Sequence, residues 1–229
     1  MTTASNTASN FMKTLKTSSR TIFKSSWLLT VFTLMVCQAD VSAQSLDESK
    51  YTVIENPLTV STGEKIEVLE LFWYGCPHCF SLEPFVKSWI EEKPDNAEFV
   101  KVPAMLSSSW GFGAQAFYTM EALGVLEEAS DTLFHQIHVI KKPVNNLNAL
   151  ITFLEKYEKT SEEVTSAFNS FAVDTKVRNA GKISRMSTAQ GVPAFLVDGK
   201  YHTSVTLAGG QDELFEVINQ LVEKAASER

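Results

Sequence analysis

The chain has 229 residues, with 20 Lys+Arg against 27 Asp+Glu, and 44% of it is hydrophobic. That length suits one domain, or one domain carrying a large insertion, and that apolar share supplies a packed core and excludes disorder for most of the chain. The acidic balance argues against nucleic acid or anionic lipid as a partner.

The N-terminus stands apart. Residues 1–26 are rich in Ser, Thr and Asn, and their only charges are Lys13, Lys16, Arg20 and Lys24. An apolar run follows from Trp27 to Cys37, then the small residues of Val41-Ser42-Ala43. This basic, apolar, small-residue order predicts a secretory signal peptide over 1–43. A retained anchor is the alternative, although the run is about half of the ~20 residues a bilayer span needs. Val36 is bulkier than the residue expected before a lipoprotein cysteine at Cys37. Without the leader, 16 basic and 26 acidic residues remain, a net charge of −10, and Cys76 and Cys79 are the only thiols. Secretion places them where disulfides persist. A single pair closing so small a ring adds little loop-closure entropy, which points to chemistry rather than stapling.

Tyr51 to Glu55 reads as a short strand and Lys65 to Tyr74 as a buried one, bounded by Thr62-Gly63. Cys76 to Glu92 reads as a helix with Pro77 at its first position, where proline fits best, and with a kink expected at Pro84. Glu98 to Val102 returns as a strand, which makes a βαβ unit with parallel strands. The pattern is then helical: Phe112 to Leu123, ending at Gly124; Glu127 to Ile140, with Leu133, Ile137 and Ile140 on one face; and Leu147 to Tyr157. Thr160-Ser161-Glu162-Glu163 is a capping box opening a fourth helix. Phe171 to about Gln190 is a fifth, with a break possible at Gly181. Gly191-Val192-Pro193 stops helicity. Ala194 to Val197 and Tyr201 to Val205 flank Asp198-Gly199, a hairpin signal. Gln211 to Ala226 is a final amphipathic helix. The expected division is 44–107 and 181–229 as the two parts of one α/β domain, with 108–180 inserted as a helical block.

The chemistry centres on Cys76-Pro77-His78-Cys79. A thiol must be a thiolate to attack. Cys76 falls at a helix N-terminus, where unsatisfied N–H groups and the helix dipole favour negative charge. His78 can add a hydrogen bond or a charge. Both effects lower the Cys76 pKa from ~8.5 towards the ~3.5–7.5 of activated Cys-X-X-Cys thiols. A stabilised thiolate stabilises the reduced form, so the disulfide becomes a stronger oxidant. Cys79, one turn in, is the resolving thiol. The bland alternative, half a zinc site, would need two more ligands; His135 and His138 lie too far along the chain for a zinc-finger spacing, and no metal is expected. Glu70, inside an otherwise apolar strand, has two open readings. It either faces solvent or is a buried carboxylate that takes a proton from Cys79, and Lys101 in the next strand could pair with it. Pro193 reads as an ordinary turn proline. His135 and His138 read as helix-surface or partly packed residues, Trp110, Phe112, Phe117 and Tyr118 as core, and Lys141-Lys142 as a solvated helix end. His202 has no visible role.

Taken together, Phe72-Trp73-Tyr74-Gly75-Cys76-Pro77-His78-Cys79-Phe80, the Gly191-Val192-Pro193-Ala194 turn and the order of the pieces resemble the DsbA family of bacterial periplasmic thiol:disulfide oxidoreductases. The resemblance implies a thioredoxin fold with an inserted α-helical domain. It implies that Cys76 is the exposed, reactive sulfur of a Cys76–Cys79 redox disulfide, tuned by Pro77 and His78. Val192-Pro193 then matches the cis-proline loop that offers backbone hydrogen bonds to an extended substrate. Glu70 falls at the family's buried acidic position, and Lys101 is similar to a nearby lysine of the family.

The implied activity is donation of the disulfide to reduced, folding secreted proteins in the periplasm. A DsbB-type quinone-linked membrane oxidase would reoxidise the pair. The protein itself would be a monomer with no cofactor. Rival readings are a disulfide isomerase or reductase, and a peptide-binding chaperone whose cysteines are vestigial or bind metal. Isomerases of this compartment usually carry an added dimerisation domain, for which 43–51 leaves no room.

Overall fold

The computed structural model describes residues 46–229, so the signal peptide expected over 1–43, with Cys37, lies outside the described residues. The first strand, β1, is only Thr52–Val53 and forms one edge of the sheet. β2 runs Ile66–Phe72, and all seven of its residues are buried. α1 spans Pro77–Glu92 with Cys76 as its N-cap, and it continues through Pro84. β3, Ala97–Pro103, pairs in parallel with β2 and completes the expected βαβ unit.

Five helices then intervene before the sheet resumes. They are α2 (Gly111–Ala122), α3 (Leu126–His138), α4 (Leu147–Leu154), α5 (Ser161–Phe168) and α6 (Phe171–Met186). The capping box is present: the Thr160 hydroxyl accepts from the Glu163 N–H, and the Glu163 carboxylate accepts from the Thr160 N–H. Two expectations fail here. α3 ends at His138, so Ile140 lies beyond the helix and is 59% exposed instead of facing the core. α6 is unbroken at Gly181 and stops at Met186, short of Gln190. A mid-helix glycine costs about 1 kcal/mol relative to alanine, which packing readily offsets. Gly181 is buried, and a Cβ there would reach ordinary contact with Met105 Sδ at 3.6 Å.

β4 (Ala194–Val197) and β5 (Tyr201–Thr203) form the expected hairpin. Asp198 and Gly199 both have positive φ, 52° and 65°, as the central residues of a tight turn closed by the Lys200 N–H to the Val197 carbonyl at 3.0 Å. β5 stops at Thr203 rather than Val205, because the Ser204 hydroxyl accepts from the Leu207 N–H and opens a short helix, α7 (Val205–Ala208). α8, Gln211–Ser227, closes the chain.

The sheet order is β1-β5-β4-β2-β3, with β2–β3 the parallel pair and the other pairs antiparallel. Two apolar cores flank it. One gathers Val68, Leu82, Trp89, Phe195, Ile218 and Leu221 between the sheet, α1 and α8. The other gathers Leu71, Phe72, Phe117, Phe134, Leu150 and Val164 and joins the sheet to the helical segment. β2 is buried on both faces because it separates them, which accounts for its nearly continuous apolar sequence.

A Cβ on Gly199 would stand 2.3 Å from the Leu58 carbonyl oxygen, whereas one on Gly124, also at positive φ (70°), would meet nothing within 4 Å. Gly199→Ala therefore combines left-handed backbone strain with a backbone clash and should cost roughly 2–4 kcal/mol, against about 1 kcal/mol for Gly124→Ala. Urea unfolding of the two variants measures both; equal losses would contradict the close approach at Leu58.

Candidate active site

β2 ends at Phe72 and α1 begins at Pro77, so Trp73-Tyr74-Gly75-Cys76 must turn the chain within four residues. The Cys76 N–H donates to the Trp73 carbonyl at 2.9 Å and closes that turn. Gly75 is required in it: a Cβ would lie 2.3 Å from the Trp73 ring. Trp73 in turn stacks on Trp110, with centroids 4.6 Å apart.

Cys76 caps α1 in an extended conformation, and its Sγ accepts from the Cys79 N–H at 3.3 Å. The pair is in the dithiol form. Cys79 is fully buried and Cys76 is 6% exposed, so the residue expected to be exposed is largely covered. The two thiols have opposite electrostatics. Cys76 is drawn down to about 6, first by a hydrogen bond from the Cys79 thiol, then by the backbone N–H groups of Cys79 and His78, against the opposing effect of burial. The positive charge of the His78 imidazole contributes least, so His78 acts mainly through its backbone rather than its ring. Cys79 is pushed far above the ordinary thiol range by its bond to Cys76, by burial and by the charge of Glu70.

Across from Cys76, the Val192–Pro193 peptide bond is cis, as the family resemblance implies and unlike the ordinary turn bond that the residues alone suggest. The Val192 carbonyl lies 3.4 Å from Cys76 Sγ and accepts from it in the thiol form. A groove of about 1190 Å³ runs past this loop, lined by His78, Ser81, Gln190, Val192, Pro193 and His202 among others. Pro77 and His78 are exposed, and His78 lines the groove. His202, without a visible role in the sequence, is buried in the groove wall 3.2 Å from the Thr52 hydroxyl, and burial lowers its pKa.

Beneath the thiols lies a buried charge cluster. Glu70 is wholly buried, which removes its solvent-facing reading. Its partner in the parallel register is Lys101, whose Nζ is 3.6 Å from the carboxylate. Neither Glu70 oxygen has a hydrogen-bond partner among the described residues. Burial pushes Glu70 up to about 7, with Lys101 opposing. Lys101 also binds Glu83, and the two carboxylates hold it charged against the cost of burial. Glu83 is a residue that sequence reasoning misses. It lies four residues after Cys79 in α1 and is therefore on the same helix face, which is the available signal.

The other residues sort themselves by contact. Phe117 and Tyr118 are core; Trp110 and Phe112 are half-buried against it. His135, Lys141 and Lys142 are exposed. His138 is the partly packed one of the two histidines: its ring stacks on Phe80 at 4.9 Å, and its Nε2 lies 2.8 Å from the Tyr74 carbonyl.

A mixed sheet carrying a Cys-X-X-Cys pair at a helix N-terminus opposite a cis-proline defines a thiol:disulfide oxidoreductase of the thioredoxin fold. The DSBA-like thioredoxin domain family matches residues 105–221. The thiol:disulfide interchange protein DsbA of Pseudomonas aeruginosa is 34% identical over 200 residues, covering 86% of this chain and 95% of that one. The protein of the same name from Bordetella pertussis is 31% identical, covering 84% and 96%. The crystal structure of Pseudomonas aeruginosa DsbA superposes with a TM-score of 0.73 at 35% identity, covering 79% of this chain and 95% of that one. The chain belongs to the DsbA family.

Two titrations check these electrostatics. Thiolate absorbance of the reduced protein should show a midpoint near 6; a midpoint near ~8.5 would mean that Cys76 is not stabilised. A depressed thiol pKa favours the fold above the unfolded value and loses that gain as pH falls through the folded one. The reduced protein should therefore gain stability over the oxidised one as pH rises from about 6 towards ~8.5. Glu70 has the opposite sign. Its pKa is raised from 4.5 to about 7, so its stabilising contribution is complete below 4.5 and lost as pH rises through 7. Glu70→Gln should overtake the wild type by about 1–3 kcal/mol across that window and stay ahead above it. Parallel unfolding curves across that range would show that Glu70 does not titrate there.

Proposed function

We propose that this chain is an oxidase, which donates a Cys76–Cys79 disulfide to reduced, folding secreted proteins. The carrying observation is the Cys76 sulfur at the N-cap of α1, stabilised as a thiolate by the Cys79 and His78 N–H groups and the Cys79 thiol. Stabilising the thiolate favours the reduced protein and so drives disulfide outward, a direction for which the DsbA family is the reference case.

In the proposed cycle a substrate thiolate attacks Cys76 Sγ. A substrate–Cys76 bond forms, the Cys76–Cys79 bond breaks, and Cys79 leaves with the electron pair. Its high proton affinity calls for a proton at once. Glu70, with a pKa near neutrality, is the buried group suited to give it, and to take it back on reoxidation. A second substrate thiolate then attacks the substrate sulfur of the mixed disulfide and expels Cys76 as a stable thiolate. The substrate loses two electrons and the enzyme pair gains them. Extended substrate is held along the groove by the backbone of Val192, with Pro193 keeping that loop against the disulfide. Lys101 and Glu83 hold Glu70 in its charge balance.

The remaining parts of the reading rest on the sequence pattern and on the resemblance to the family. Residues 1–43 direct the protein to the periplasm and are removed. Residues 108–180 are an insert in a thioredoxin domain made of 44–107 and 181–229. The enzyme acts as a monomer, and a DsbB-type quinone-linked membrane protein reoxidises it.

Equilibration with glutathione should give a potential towards the family's reference of about −120 mV; a value near thioredoxin's about −270 mV would overturn the oxidase reading. Cys79→Ala should accumulate mixed disulfides on Cys76, and Cys76→Ser should form none. A Cys76→Ser protein that still oxidised substrates would remove Cys76 from the mechanism.

A further inference from the structure

The residue before Gly75-Cys76 is held twice by one helix. The Tyr74 carbonyl, on the peptide that leads into Gly75, is 2.8 Å from His138 Nε2. The Tyr74 hydroxyl is 2.9 Å from Ser130 Oγ. Ser130 and His138 lie two turns apart on α3, hence on one face. A carbonyl only accepts, so Nε2 must carry the hydrogen and His138 is the donor. The ring is fixed in that orientation by stacking on Phe80 at 4.9 Å and by Phe134, tilted at 6.0 Å. Phe134 also packs edge-on against the Tyr74 ring at 4.9 Å.

We propose that α3 is a splint for the reactive turn, with His138 its positioning residue: its N–H pins the Tyr74–Gly75 peptide and thereby fixes Cys76 Sγ against the N–H groups of α1. The turn's side chains are packed, Trp73 on Trp110 and Tyr74 on Phe134, but its backbone has few ties. Its closing bond is the one from the Cys76 N–H to the Trp73 carbonyl, and Gly75 tolerates many backbone conformations. A hydrogen bond to an ion weakens steeply as its alignment degrades. A looser turn therefore reduces thiolate stabilisation, which exists only in the reduced protein. The oxidised protein has no anion to lose, so the effect appears as a redox shift and not only as lost stability. The proposal rests on the reading of Cys76 as the stabilised thiolate.

The test compares His138→Phe, which keeps the stacked ring but removes the donor, with His138→Gln, whose amide nitrogen can stand near the place of Nε2. One hydrogen bond of about 1 kcal/mol corresponds to about fivefold in an equilibrium constant. His138→Phe should lower the equilibrium constant for oxidation of glutathione about fivefold, equal to about 20 mV at ~30 mV per tenfold. The Cys76 thiolate midpoint should move up with it, and His138→Gln should restore both. Ser130→Ala, which leaves the histidine intact, should shift both readouts in the same direction by less, and it carries the test if His138→Phe does not fold. A lower melting temperature with unchanged potential and midpoint, in His138→Phe or, where that variant does not fold, in Ser130→Ala, would make α3 merely structural and overturn the splint. A wild-type midpoint near ~8.5 would instead defeat the underlying reading of Cys76.

Discussion

Everything in this molecule that bears on its chemistry depends on where one sulfur sits relative to one helix end. Cys76 is the N-cap of α1, the position at which a side chain accepts from the helix's unpaired N–H groups. In most helices an oxygen fills that place. Here a thiolate does, and the capping interaction becomes a difference between redox states, because only the reduced protein has the anion. The strand before it and the helix after it leave four residues to arrange this. That is why the turn requires a glycine beneath Trp73 and a carbonyl tied to α3.

The second thiol is placed under opposite conditions. Cys79 is one turn inward, over a floor of Glu70, Glu83 and Lys101. The separation of the two proton affinities, one lowered to about 6 and the other raised, supports the proposed roles, in which one sulfur accepts attack and leaves easily and the other is reprotonated. A carboxylate buried without a hydrogen-bond partner is costly, and an apolar residue in the middle of β2 would be more stable. In the proposed cycle the strand gives up stability at the point where a proton is supplied inside the protein. Lys101 limits that cost. Shared between Glu70 and Glu83, it leaves the floor with one more acid than base, which suits a site that holds a single mobile proton.

What the sequence made legible was local in the chain. Pro77 after a cysteine marks a helix start; Thr160 and Glu163 mark another; Asp198-Gly199 marks a hairpin; each signal is complete within a few residues. The failures were non-local. Nothing near Gly181 reveals that the helix is packed against the Met105 loop and stays whole. Glu70's burial, set by β3 and β4 on either side, was left open by its own stretch of chain and was anticipated only through the family resemblance. The period of α3 extends on paper to Ile140, but the helix stops at His138, where the ring turns in to the Tyr74 carbonyl. Glu83 was recoverable from its spacing to Cys79, yet a glutamate in a helix is so often solvated that spacing alone does not single it out.

The helical segment also looks different once its contacts are followed. Phe134 of α3 packs against Phe72 at the end of β2, against Tyr74 in the turn and against Phe80 in α1, at 5.9, 4.9 and 6.2 Å. One side chain thus touches the strand, the turn and the helix that together position the sulfur. Lys101 crosses the same aromatic floor, 4.6 Å from the centre of the Phe72 ring and 5.5 Å from that of Phe134. A helix that only shielded substrate would need no such contacts. α3 forms one wall of the core beneath the turn, and its polar side chains at Ser130 and His138 reach the turn from that wall. The thiolate's environment is therefore built jointly by the sheet and by the helices that interrupt it.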